Sequence, residues 1–200
     1  MIIFRISNPF FVLLFTVTVS VVTTTSVLPV PAWASGRAIS VYGGRITKDK
    51  WFESLPPGVN YADAYILATG LAWPLKSLRN GAATIEVEGQ VVKHFGDQDH
   101  FEFNLPLAVR WHQFKWDDSV DTSMAFGLGP SWATREPEVE AEVNGSTSKF
   151  LVYWFAEISL GPPDREWSAI FRLHHRSKAF GLVAEEGGSN TLVAGIRFYY

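Results

Sequence analysis

The sequence contains no cysteine, which excludes disulfide stapling and any metal site built on thiolates. Lysine and arginine number only 17 against 20 acidic residues, and they form no cluster that would mark a nucleic-acid partner. Beyond residue 34 no apolar run is long enough for a membrane helix. Any membrane-spanning structure in the rest of the chain must therefore be a closed barrel, in which every backbone group is paired. Heptads, low-complexity linkers, P-loops, dinucleotide fingerprints and the G-x-S-x-G elbow are missing as well.

What is present begins with a segment of its own. Residues 1–34 carry one charge, Arg5, ahead of the apolar run FFVLLFTVTVSVV, and end in Ala32-Trp33-Ala34. This order of basic start, apolar core and small-x-small end is that of a secretory signal peptide. The mature chain is expected to start at Ser35 and to form one domain over 35–200.

The remainder alternates. Runs of about ten residues with period-two hydrophobicity recur between turn signals. Eight segments emerge, at 37–46, 61–73, 84–94, 101–111, 123–134, 148–160, 167–177 and 191–200. The fourth is the clearest: Phe101, Phe103, Leu105, Leu107, Val109 and Trp111 share one face, and Glu102, Asn104, Arg110 and His112 the other. The polar faces also hold Glu86, Glu88, Gln90, Arg172 and Arg197, a mixed-sign set suited to pairing inside a small lumen. The predicted fold is all-β, an eight-stranded antiparallel outer-membrane β-barrel. A soluble lipocalin-like barrel would reverse the two faces. Against it stands the last segment, where Leu192, Ala194, Ile196, Phe198 and Tyr200 alternate up to a terminal aromatic, like the insertion signal of outer-membrane barrels. The cell outer membrane is therefore the expected location.

Few residues offer chemistry. His94, His100 and His112 look too dispersed for a metal site, and Glu86 and Glu88 read as structural lumen residues. No cofactor and no metal are expected. The exception is Leu173-His174-His175-Arg176-Ser177, at the end of the seventh segment. With an even strand count and both ends in the periplasm, this segment runs outward and ends at the outer leaflet. Trp167, Ala169, Phe171 and Leu173 form its lipid-facing series, and His175 and Ser177 continue it. Polar side chains at the lipid boundary are costly unless paired or used. A histidine that takes the proton of a serine hydroxyl makes a nucleophile for acyl transfer.

His175-Arg176-Ser177-Lys178-Ala179, followed by Gly181-Leu182 and a final strand, resembles the lipid A 3-O-deacylase family of acyloxyacyl hydrolase-like outer-membrane barrels. A looser echo of that group is residues 89–103, GQVVKHFGDQDHFEF. The resemblance implies His175 as general base and Ser177 as nucleophile in hydrolysis of an ester-linked acyl chain of lipid A. It also implies an acid, a Glu near the last strand, that orients the histidine. Two departures stand out. At the family's spacing of about a dozen residues after the serine, this chain has Ser189 and Asn190, and its nearest carboxylates are Glu185 and Glu186. Lys178 also stands where the family commonly has Asn. Glu185, Glu186 and Asn190 remain the candidates, with Glu186 the expected acid because a carboxylate stabilises an imidazolium by charge. The expected function is an outer-membrane serine hydrolase acting on lipid A or a related glycolipid, with outer-leaflet lipid as its partner. The alternatives are a non-catalytic structural or lipid-binding outer-membrane barrel and a soluble periplasmic barrel with an apolar ligand.

Overall fold

The computed structural model describes residues 36–49, 58–163 and 166–200. The expected signal segment 1–34 and part of the first long loop lie outside the described residues. Among the described residues nine antiparallel strands are present: β1 (Ala38–Thr47), β2 (Tyr61–Leu78), β3 (Ala83–Gly96), β4 (Phe101–Asn104), β5 (Leu107–Trp111), β6 (Asp121–Ala133), β7 (Phe150–Gly161), β8 (Trp167–Ser177) and β9 (Gly188–Tyr199). β4 and β5 are two halves of one barrel strand, since both pair with β3 on one side and β6 on the other. β1 pairs with both β2 and β9, so eight strand positions close into a ring with no free edge.

Proline explains two places where the strands depart from the expected segments. Lacking an N–H, Pro106 cannot complete the ladder, and the fourth barrel strand breaks between Asn104 and Leu107. Its carbonyl still accepts from Glu88 N–H at 3.0 Å, and Leu105 N–H donates to Pro130 O at 3.1 Å, so the break is bridged. Pro74 does not end the second strand. The register shifts between Pro74 and Lys76, which absorbs the missing donor, and β2 continues to Leu78. One helix falls outside the expected elements. This is α1 (Glu138–Asn144), in the loop between β6 and β7 at the barrel end opposite the chain ends, with Val139 and Glu140 buried.

The inside-outside register is the expected one. Phe101, Phe103, Leu105, Leu107 and Val109 are exposed, while Glu102, Asn104 and Arg110 are buried. The exposed series of the other strands is equally apolar, for example Leu67, Val91, Phe126, Phe171 and Ile196. An apolar exterior around a charged interior is the inverse of a soluble barrel, and this excludes the lipocalin-like arrangement. The molecule is a barrel of the outer-membrane type and is assigned to that membrane.

Inside, arginines and glutamates interlock. Arg110 pairs with Glu86 at 3.0 Å and Glu157 at 2.8 Å, and Arg172 with Glu157 at 2.6 Å and Glu88 at 2.9 Å. Arg197 reaches Glu86 at 2.9 Å, and near the opposite end Arg176 holds Glu140 of α1 at 2.8 Å. Desolvating so many charges is tolerable only because each guanidinium has carboxylates on hand. Arg172 also lies over the Phe155 ring at 4.0 Å. Phe155 fills space that only glycine leaves open: a Cβ on Gly127 would come 2.2 Å from its ring.

Candidate active site on the outer barrel surface

β8 presents its side chains alternately. Arg172, His174 and Arg176 point into the lumen and are buried, while Leu173, His175 and Ser177 face outward. The expected pair thus shares the outer face, near the strand end away from the chain ends.

The register places two neighbours directly beside His175: Trp154 on β7 and Asn190 on β9. The Trp154 and His175 ring centroids are 4.6 Å apart with planes tilted by 37°. His175 Nδ1 lies 2.6 Å from Asn190 Oδ1. Asn190 is itself buried, and its Nδ2 donates to the Asp49 carbonyl at 3.0 Å. That second bond decides the chemistry. A carbonyl oxygen only accepts, so the Asn190 nitrogen must face Asp49 and the Asn190 oxygen must face His175. His175 Nδ1 then carries the proton, and Nε2 carries a lone pair. This is the tautomer a general base needs.

Ser177 Oγ accepts a hydrogen bond from Ala179 N–H at 3.1 Å, which leaves the hydroxyl hydrogen available to donate. The structure brings His175 and Ser177 to one face two residues apart and joins them by no hydrogen bond. Chain reversal follows at once. Ala179, Phe180 and Gly181 lie in the left-handed region with φ of 51°, 59° and 84°, and Phe180 is fully exposed beside the serine.

Glu186 is not brought to His175. Its carboxylate takes Lys178 Nζ at 2.6 Å, and the same ammonium donates to the Glu185 carbonyl at 2.9 Å. The partner of His175 is therefore Asn190, and the expectation of Glu186 in that position is corrected. The physical reason is strand length. β9 begins at Gly188 rather than Thr191, which pairs Asn190 with His175 and leaves both glutamates in the turn. The two departures from the resembled family thus meet in one Lys178–Glu186 ion pair. Trp154 and the Asp49 carbonyl went unrecognised in the sequence, where only strand pairing would reveal them.

A second cluster overturns another expectation. His94 and His100 are not dispersed: their rings stack with centroids 4.1 Å apart. The turn between β3 and β4 folds the strand back on itself. His94, His100 and Glu102 then offer ligand atoms all within 4.8 Å of one another, every one of these residues buried. His112 is far away in the barrel, against Thr84 at 3.1 Å.

No family model and no curated protein matches the chain. Among solved structures it is similar to the outer membrane enzyme PagL, with a TM-score of 0.58 and 13% sequence identity, covering 80% of this chain and 98% of that one. At this identity the likeness is one of fold.

Proposed function

We propose that this chain is an outer-membrane serine esterase that removes an ester-linked acyl chain from a lipid of the outer leaflet, lipid A or a related glycolipid. The observation that carries the reading is the chain of contacts Asp49 O, Asn190, His175 on the lipid-facing surface, with Ser177 two residues on. A buried amide held in one orientation so that an imidazole presents its lone pair outward has little purpose in a purely structural barrel. The similarity in fold to an outer membrane enzyme supports the reading.

In the proposed reaction the Ser177 hydroxyl oxygen attacks the ester carbonyl while His175 Nε2 takes its proton. Collapse of the tetrahedral intermediate breaks the bond to the alkoxy oxygen, and the imidazolium returns the proton to the departing glycolipid alcohol. Water then attacks the acyl-serine with His175 again as base, releasing the fatty acid and restoring the hydroxyl. Asn190 fixes the ring through both proton transfers. Being neutral, it offers the imidazolium a dipole and no charge, and turnover is correspondingly slower than with a carboxylate.

The test is mass spectrometry of lipid A from cells with wild-type protein, with Ser177→Ala and with none. The expected result is loss of one acyl chain in the first case alone. Intact lipid A in all three would favour the non-catalytic lipid-binding barrel. Deacylation by Ser177→Ala at the wild-type level would remove the serine from the mechanism.

A further inference from the structure

Among the described lumen glutamates, Glu102 stands apart. Glu86, Glu88, Glu140 and Glu157 each have a guanidinium nitrogen within 3.0 Å, whereas the nearest one to Glu102 is Arg176 Nε at 3.9 Å. Its carboxylate faces two imidazoles and an amide instead. Oε1 receives His174 Nε2 at 2.9 Å and Asn104 Nδ2 at 2.7 Å, and Oε2 lies 2.9 Å from His94 Nε2. Next to them His100 is 2% exposed, and neither of its ring nitrogens has a hydrogen-bond partner. A buried imidazole with both nitrogens unpaired is unfavourable unless its lone pair is put to use. A carboxylate short of positive charge and a bare imidazole side by side are what a cation would satisfy together.

We propose that His94, His100 and Glu102 form a site for one divalent transition-metal cation of the zinc class, just inside the barrel end that α1 borders. Two nitrogens and one oxygen select that class over calcium or magnesium, which take oxygen sets. Three protein ligands leave a further position for water. The 2.9 Å between His94 Nε2 and Glu102 Oε2 suits two adjacent ligands of one ion held about 2.0–2.2 Å from each. The stacked rings must turn to aim their nitrogens at one point.

The proton balance is complete within the site. Metal at His94 Nε2 moves that ring's proton to Nδ1, where Gln98 Nε2 now sits at 2.7 Å. The amide turns over so that its oxygen accepts, and it gives up the 3.2 Å bond from Val139 N–H at the start of α1. His174 keeps its hold on Oε1 and fixes the carboxylate from behind. The site lies on the lumen side of the barrel wall, whereas Ser177 faces outward, so neither depends on the other.

The experiment uses tag-free, refolded full-length protein in detergent micelles, stripped with chelator. It is titrated with Zn2+ by calorimetry and with Cu2+ by electron paramagnetic resonance. One zinc equivalent and copper couplings from two imidazole nitrogens are expected. His100→Ala should weaken zinc binding by about 30-fold or more, and His112→Ala should leave it unchanged. Gln98→Glu, which gives Nδ1–H a carboxylate acceptor, should tighten binding by about 10-fold, the low end for a residue of this kind. If His100→Ala does not fold, as read by heat-modifiable gel migration, His100→Phe keeps the ring stack without a nitrogen and should lose binding likewise. No saturable binding by the wild type, or equal binding after loss of His100, overturns the proposal.

Discussion

Replacing Asn190 by Asp adds a formal charge where the proposed mechanism has only a dipole. Asn190 Oδ1 is 2.6 Å from His175 Nδ1, so a carboxylate there would sit with its charge centre about 4 Å from that of the imidazolium. Two unit charges at that distance attract by about 4 kcal/mol at an effective dielectric of 20 and by about 1 kcal/mol in water. His175 is half-buried at the barrel surface and falls between these limits. A gain of about 1.5–3 kcal/mol in the transition state corresponds to a rate increase of about 10- to 100-fold. The opposing term is the lost bond from Asn190 Nδ2 to the Asp49 carbonyl, now faced by a carboxylate oxygen. That loss, about 1–3 kcal/mol, weighs on ground state and transition state alike, so it appears in stability rather than in kcat. Asn190→Ala removes orientation without adding charge and should lower kcat by about 100-fold, within the usual range for one positioned proton-transfer group. The assay is release of fatty acid from purified lipid A in mixed micelles, on protein shown to be folded by its gel migration. Folded Asn190→Asp no faster than wild type, or Asn190→Ala as active as wild type, would refute the orienting role.

Glu186→Gln should change deacylation by less than about twofold, because Glu186 pairs with Lys178 in an exposed contact worth at most about 1 kcal/mol; a loss of ten times or more would return it to the site. Arg172→Met strips Glu157 and Glu88 of their shared guanidinium and should cost about 3–5 kcal/mol in urea unfolding from micelles. An unchanged unfolding midpoint would show that those carboxylates are protonated or hydrated. Leu107→Arg places a charge on the outer face midway along the barrel and should cost about 2–4 kcal/mol in a bilayer, whereas Leu107→Phe should be close to neutral. Equal yields of the two folded variants would mean that this face does not meet hydrocarbon.

Which way each strand faces was legible in the sequence because a period of two, once charges fall on one phase of it, has a single low-energy solution. That is why Glu102 and Arg110 could be placed inside, and His175 and Ser177 outside, without coordinates. Boundaries were less legible where proline intervened. At Pro74 a register shift carried the strand on, and at Pro106 the same missing N–H broke it, and nothing local distinguishes the two. Helix α1 spans only two turns and is anchored by Glu140 to Arg176 and Ser189 rather than by a periodic apolar stripe, so it had no signature of its own. The identity of the residue beside His175 turned on three positions. A last strand starting at Thr191 leaves Asn190 in the loop, and one starting at Gly188 sets it opposite the histidine. The imidazole cluster was hidden for the reverse reason: His100 comes six positions after His94 in sequence, and a tight hairpin removes the separation in space.

The filled interior has a consequence for the cell. The cavity at the chain-end mouth, lined by Glu86, Arg110, His112 and Arg197 among others, has room for little more than a water molecule, about 20 Å³. From there inward Arg172 and Arg197 reach across the lumen to Glu88 and Glu86 of β3, and Arg110 links β5 to Glu157 of β7. A lumen filled in this way is expected to exclude solutes the size of a nutrient or an antibiotic. Unlike a porin, such a barrel should be electrically silent in a planar bilayer, and a bacterium could then carry it at high copy number without opening its permeability barrier.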